Sequence, residues 1–244
     1  MTAALTVALG TAIWAAHLAR AENRTALREK PAGDWILDGA NLIVQAMAVP
    51  AVAAWVLAPA LATVAPSAAQ SVSLPPIASF LLGFVGVDYL YYWNHRALHT
   101  AALWPLHRVH HTATRMDVLA TSRNTVWTTW CVVYVWATAL FTFLLADPTP
   151  FLLASALTAG LDAWRHSDLD PPDPMMSLLN GWLILPKDHA WHHASASPHR
   201  NYGANLSIWD RLHGTWHAGP DAAPLGLDDQ RPWWRRLLIP DGAP

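Results

Sequence analysis

The sequence predicts an all-α protein: an integral-membrane bundle of about four to five helical spans carrying a cytoplasmic, histidine-rich helical cap. Three observations carry that expectation. The 244 residues are 53% hydrophobic and only 13% charged, against about 25% charged in an ordinary soluble domain. Apolar blocks long enough to approach bilayer thickness alternate with short turns rich in proline, serine and aspartate. All fifteen lysines and arginines fall within 20–30, 96–123, 165 and 187–236, the segments that an alternating path places on one side. The positive-inside bias makes that side cytoplasmic.

Residues 3–19 are apolar apart from Thr6, Thr11 and His17 and read as a retained span, slightly under the usual roughly 20 residues. A signal peptide is the competing reading, with Ala19-Arg20-Ala21 as its cleavage site, but no positive segment precedes the apolar run. His17 reads as a lone interfacial residue. Residues 20–30 form a charged helical connector ending at Pro31 and Gly33. Residues 39–65 carry no charge and supply a full span, in which Pro50 and Pro59 are tolerable because bilayer helices accept kinks. A turn at 66–76 leads into a span at 77–93.

The polar residues 112–125 return the chain to the water side. Apolar residues 126–145, a turn at 146–150 and apolar residues 151–164 make a second hairpin. From His166 onward the chain is rich in proline, tryptophan and charge and is expected to cover the water-side end of the bundle. Residues 218–244, with WWRR at 233–236, read as an interfacial tail, since Trp and Arg favour the headgroup zone. The expected division is 1–35 as span and connector, 36–217 as the membrane-embedded domain, and 218–244 as the tail.

A net charge of −2 offers no basic surface, so a nucleic-acid partner is not expected. The single cysteine, Cys131, lies in an apolar run and can make neither an internal disulfide nor a cysteine-based zinc site.

The histidines are where chemistry concentrates. His95 and His99 are four residues apart, His107, His110 and His111 follow as H-x-x-H-H, and the same pattern returns as His189, His192 and His193, with His166 between. On a helix, positions i, i+3 and i+4 share a face, so each cluster is expected to present its imidazoles together. Neutral imidazole suits iron, copper, zinc and nickel. Nine such residues exceed the four ligands of one tetrahedral zinc, so two metals are the economical reading.

The stretches DYLYYWNHRALH, LWPLHRVHHT, DHAWHHAS and NYGANLSIWDRLHGTW resemble, in order and spacing, the fatty acid hydroxylase and sterol desaturase superfamily of integral-membrane oxygenases. The resemblance covers roughly residues 80–217. Two departures show: His213 stands where the closing box usually has phenylalanine, and His166-Ser167-Asp168 replaces a common His-x-Asn. The resemblance implies two iron ions held by His95, His99, His107, His110, His111, His166, His189, His192 and His193, with dioxygen as co-substrate. It further implies hydroxylation or desaturation of an apolar, lipid-like substrate dissolved among membrane lipids, and electrons from a separate ferredoxin- or cytochrome b-type donor. Oxidising an unactivated C–H bond requires a redox metal, which zinc is not. No G-x-G-x-x-G fingerprint for a nucleotide cofactor is present.

A ligating histidine usually donates its other N–H to a carboxylate, carbonyl or water. Asp88, two helical turns before His95, and Asp188 and Asn201 beside the last cluster are the expected partners. Asp210 reads equally as a helix cap or turn residue, and Asn201-Tyr202-Gly203 equally as a tight turn. Asp162 shares a helix face with His166, where it either ligates or supports a metal or else pairs with Arg165. Tyr89, Tyr91 and Tyr92 read as packing residues at the membrane interface. A histidine-rich metal-binding or transport protein is the alternative from another class, although transporters place ligands near the bilayer midplane and these histidines lie beyond span ends. A zinc hydrolase lacks H-E-x-x-H, and the only glutamates, Glu22 and Glu29, are remote.

Overall fold

The computed structural model describes residues 2–195, 199–219 and 224–241. Among these the chain is helical throughout. No strand forms, and only isolated bridges join Val72 to Leu145, Leu183 to Leu206 and Ala194 to Leu225.

Helix α1 (Thr2–Ala19) turns through 96° at Arg20 into α2 (Ala21–Glu29). The bend is pinned by side chains: Arg20 donates to the Asp168 carbonyl at 2.6 Å, and His17 and Asn23 meet the Asp168 carboxylate at 3.1 and 2.9 Å. His17, expected as a lone interfacial residue, is fully buried in this knot. A buried imidazole needs hydrogen-bond partners, and Asp168 supplies one.

Pro31 caps α3, a continuous helix from Ala32 to Val64. It begins seven residues before the charge-free stretch, because Asp34 is favourable at a helix N-terminus. Two π-helical turns, Val44–Ala48 and Ala53–Leu57, interrupt it. They contain Ala46 and Trp55, the residues four before Pro50 and Pro59, whose carbonyls a proline ring displaces. The prolines thus widen the helix without breaking it. The helix is apolar and outward-facing, with Trp55 81% exposed. It is the one helix among the described residues long and apolar enough to cross a membrane, or one of two if α1 and α2 count as a single bent span. That is fewer than the four to five spans expected.

The next helix, α4, covers residues 76–98, as Pro76–Leu81, a π-helical turn Leu82–Gly86, and Val87–Leu98. A short helix, α5 (Trp104–His107), and a 3-10 turn at His110–Thr112 follow. The expected apolar helix from 126 forms in two pieces, a single turn at Thr128–Cys131 and α6 (Val133–Leu144). Upstream, Thr125 and Thr128 turn their hydroxyls toward each other at 2.9 Å and Thr128 reaches the Leu106 carbonyl. Such local bonds compete with helix.

Helix α7 (Thr149–Arg165) returns antiparallel and packs with α4 and α6 around Val87, Ala137, Leu145 and Phe151. It also carries α1, which approaches so closely at Gly160 that an added Cβ would lie 2.8 Å from Leu9. A short helix at Asp173–Leu179 follows, and three more close the fold: α8 (Pro186–His192), α9 (Ile208–Leu212) and α10 (Trp233–Leu238). Leu237 of α10 packs on Leu37 and Val109. Parts of the expected tail, 220–223 and 242–244, lie outside the described residues.

A buried ionic cluster ties α3 to the loop before α6. Arg123 meets Asp38 through two bonds of 2.8 and 3.1 Å and Asp34 at 3.1 Å, while Lys30 pairs with Asp38 and Asp117. Arg123, Asp38 and Asp117 are buried, with Lys30 and Asp34 at the edge of the cluster, and removing one partner of the buried Arg123–Asp38 pair typically costs about 3–5 kcal/mol. The backbone they fix includes the Arg123 carbonyl, which faces the histidines.

Candidate metal centre

Four segments converge on the histidines. His95 lies in the last turn of α4 and His99 caps it; His107 ends α5; His110 and His111 occupy the 3-10 turn; His166 caps α7; His189 and His192 lie on α8 with His193 at its cap. Placement at helix ends leaves each ring free to turn inward. All nine are buried.

They fall into two groups. His95, His99, His107, His111 and His192 form one, and His110, His166, His189 and His193 the other, with ligand atoms of each group within 4.8 Å of one another. Each H-x-x-H-H motif is therefore split, contrary to the single face expected for it. Adjacent helical residues point about 100° apart, so His110 and His111 address different groups, as do His192 and His193.

The hydrogen-bond pattern defines what the groups can hold. His110 Nδ1 donates to the Arg123 carbonyl at 3.1 Å and His166 Nδ1 to the Asp162 carbonyl at 2.8 Å. A neutral imidazole has one N–H, so both Nε2 atoms are bare lone pairs, and they face each other at 3.1 Å. His166 Nε2 is also 2.9 Å from His189 Nε2, which lies 3.2 Å from His193 Nε2. In the other group His95 Nδ1 donates to the Tyr202 carbonyl at 2.8 Å and its Nε2 lies 3.0 Å from His107 Nε2. His192 Nδ1 donates to the Arg200 carbonyl, leaving Nε2 without a partner, and both nitrogens of His99 and of His111 are buried and unpartnered.

Acceptors that face acceptors in a buried space repel unless a cation lies between them. Nitrogens about 2.0–2.1 Å from one shared ion stand about 3 Å apart, the spacing seen here. Burial foremost, and then neighbouring rings, push the pKa of His95, His107, His110, His111, His189 and His193 well below 6.5, which disfavours protons in place of the ion. Burial likewise lowers His192 to about 4. The donor set thus fits two cations of the kind imidazole prefers.

The expected carboxylate partners act one step further out, because backbone carbonyls take the ring N–H groups. Asp88 accepts from Asn205 N, Leu206 N and Trp209 Nε1 at 2.8, 3.1 and 2.8 Å. Asp188 caps its own helix through Leu185 N, and burial raises its pKa to about 6. Asn201, in the left-handed region at φ 56, bridges the Asp188 and His217 carbonyls at 3.0 and 2.9 Å. Asp162 joins neither group. It pairs with Arg165, and its carboxylate lies 3.3 Å from His166 Nδ1, behind the ring.

Asp210 matters more than its even reading suggested. It accepts from Tyr202 N, Gly203 N and the Thr215 hydroxyl at 2.8, 2.7 and 2.6 Å, fixing the turn that offers the Tyr202 carbonyl to His95. A Cβ on Gly203 would lie 2.7 Å from the Leu206 carbonyl, so only glycine fits. Arg123 and Arg200 escaped the sequence reading, since a backbone carbonyl leaves no sequence signal. His213 belongs to neither group and instead stacks on Tyr92 and Tyr89, filling an aromatic slot.

A cavity of about 480 Å³ adjoins the centre, reaching His107 of one group and His110 and His166 of the other. Its walls come from α3, α4, α7 and residues 121–138, and its lining includes Val49, Pro50, Ala53, Leu98, Val132 and Val135.

The model of the fatty acid hydroxylase family matches residues 80–215. The chain is 34% identical over 144 residues to ornithine lipid hydroxylase OlsE of Rhizobium tropici, covering 57% of this chain and 42% of that one. It is 31% identical over 154 residues to alkylglycerol monooxygenase of Danio rerio, covering 60% and 32%. With fatty acid hydroxylase vlmA of Lecanicillium sp it shares 31% over 161 residues, covering 59% and 43%. The matches span less than half the length of these relatives. No solved structure matches the chain significantly.

Proposed function

The chain belongs to the fatty acid hydroxylase family, within the fatty acid hydroxylase and sterol desaturase superfamily, and from that membership we propose that it is a dioxygen-dependent di-iron oxygenase acting on an apolar, lipid-like substrate. The observation that carries the reading is the pair of adjoining, buried, all-histidine groups with lone pairs facing one another. When bound, the two irons would supply the oxidising power to attack an unactivated C–H bond. The chain's own part is to hold bare Nε2 atoms inward, to exclude water, and to admit a hydrocarbon segment beside both groups through the adjoining cavity. Carbonyls of Tyr202, Arg123, Asp162 and Arg200 fix the ring tautomers, and Asp210 and the Arg123 ionic cluster fix those carbonyls. An ion carrier needs no apolar chamber beside its ligands.

The protein is an integral-membrane bundle of four to five spans, with the histidine centre under a cytoplasmic cap, residues 36–217 as the working unit, and electrons from a separate donor protein. The outward apolar face of α3 and the one-sided distribution of lysine and arginine support that placement. The test supplies iron-loaded protein in membranes with a reductant, a lipid extract and ¹⁸O₂. A lipid product gaining one labelled oxygen atom, or losing two hydrogens, is expected. Unchanged lipids with iron in place would remove the oxygenase reading.

A further inference from the structure

The cavity beside the histidines is not uniformly apolar. Four of its lining residues carry buried polar atoms that bond to nothing: Thr121 Oγ1, Asn124 Oδ1, Thr129 Oγ1 and the Tyr134 hydroxyl. An unsatisfied buried polar group is destabilising, and four on one chamber are not explained by packing. They come from the single stretch 121–134. Tyr134 is held by stacking on Tyr91, with ring centres 4.9 Å apart and 24° between planes. The charges on the wall are spoken for, since Arg165 pairs with Asp162 and donates to the Ala204 carbonyl at 3.0 Å.

We propose that this row recognises an uncharged polar group on the substrate that both donates and accepts hydrogen bonds, an alcohol or an amide, and so holds the adjoining alkyl segment at the histidines. This rests on the oxygenase reading for what happens next, but the recognition itself is a binding property. The three hydroxyls can donate or accept, whereas Asn124 Oδ1 only accepts, so the ligand must bring an O–H or N–H. An ether or ester brings none. A hydrocarbon leaves all four orphaned, and an ionised carboxylate, which only accepts, brings no donor for Asn124 Oδ1. Thr129 and Tyr134 are therefore specificity-determining residues.

The test is competition against radiolabelled dodecan-1-ol on the full chain in detergent, both metal-depleted and iron-loaded. The alcohol should compete at least about tenfold better than its methyl ether, dodecane or dodecanoate. Tyr134→Phe and Thr129→Val should each weaken the alcohol by about 3- to 10-fold, the scale of one hydrogen bond, with dodecane unmoved. Equal competition by the ether, or tightest competition by dodecanoate, on the unaltered metal-depleted protein overturns the proposal, whether or not the variants fold. Unaltered alcohol affinity in both folded variants also overturns it. Because binding is read without turnover, its failure is distinct from a failure of the oxygenase reading, which the labelled-oxygen experiment addresses.

Discussion

His192 shows how a single residue links burial to pH. Its pKa falls from 6.5 to about 4 on folding, so between those values the unfolded chain holds a proton that the folded chain refuses. Stability therefore declines as pH falls from about 6.5 toward 4, and the other depressed rings act in the same direction. Asp188, raised to about 6, and Asp170 and Asp210, also raised by burial, oppose them. The metal-free protein should lose thermal stability across that window, and bound metal should be released over it, as melting and metal-retention titrations would show. Asp162→Asn removes a charge 3.3 Å behind His166, and metal retention against a chelator should weaken by about 10- to 100-fold with the fold intact. Retention equal to wild type would reduce Asp162 to a partner for Arg165.

At the level of elements, the chain places rings by ending helices under them. The spacing of the histidines was legible in the sequence because it is local, and so were the turns at Asn201 and after Leu145. Which ring joins which group was not, because His111 and His192 meet across 81 positions of chain through tertiary packing alone. The carbonyls that orient the rings were invisible for a related reason: any residue type carries one. The length of α3 was partly hidden by Asp34 and Asp38, charges that the sequence places outside a span and that the fold neutralises with Arg123 and Lys30. Close approach of α1 to α7 makes a prediction here. Gly160→Val should overpack Leu9 and cost about 1–3 kcal/mol, read as a lower melting temperature, whereas Gly39→Val, with open space around it, should be nearly neutral. Equal effects would mean that α1 does not rest on α7.

Across the whole molecule, basic residues and histidines share one side of the expected threading while the turns at 66–76 and 146–150 lack lysine and arginine. Thiols engineered at the exposed Ser71 and Ser195 should label from opposite faces of sealed vesicles, with Ser195 on the cytoplasmic face; labelling from one face would reject the threading. The claim on which the rest depends is that the nine histidines hold two redox metals side by side. Metal analysis of iron-reconstituted protein tests it most directly, alongside His192→Ala and His189→Ala, one from each group. About two irons per chain are expected in the unaltered protein, with loss from each variant. One metal per chain, zinc as the sole ion taken up, or full iron occupancy in both variants would contradict it.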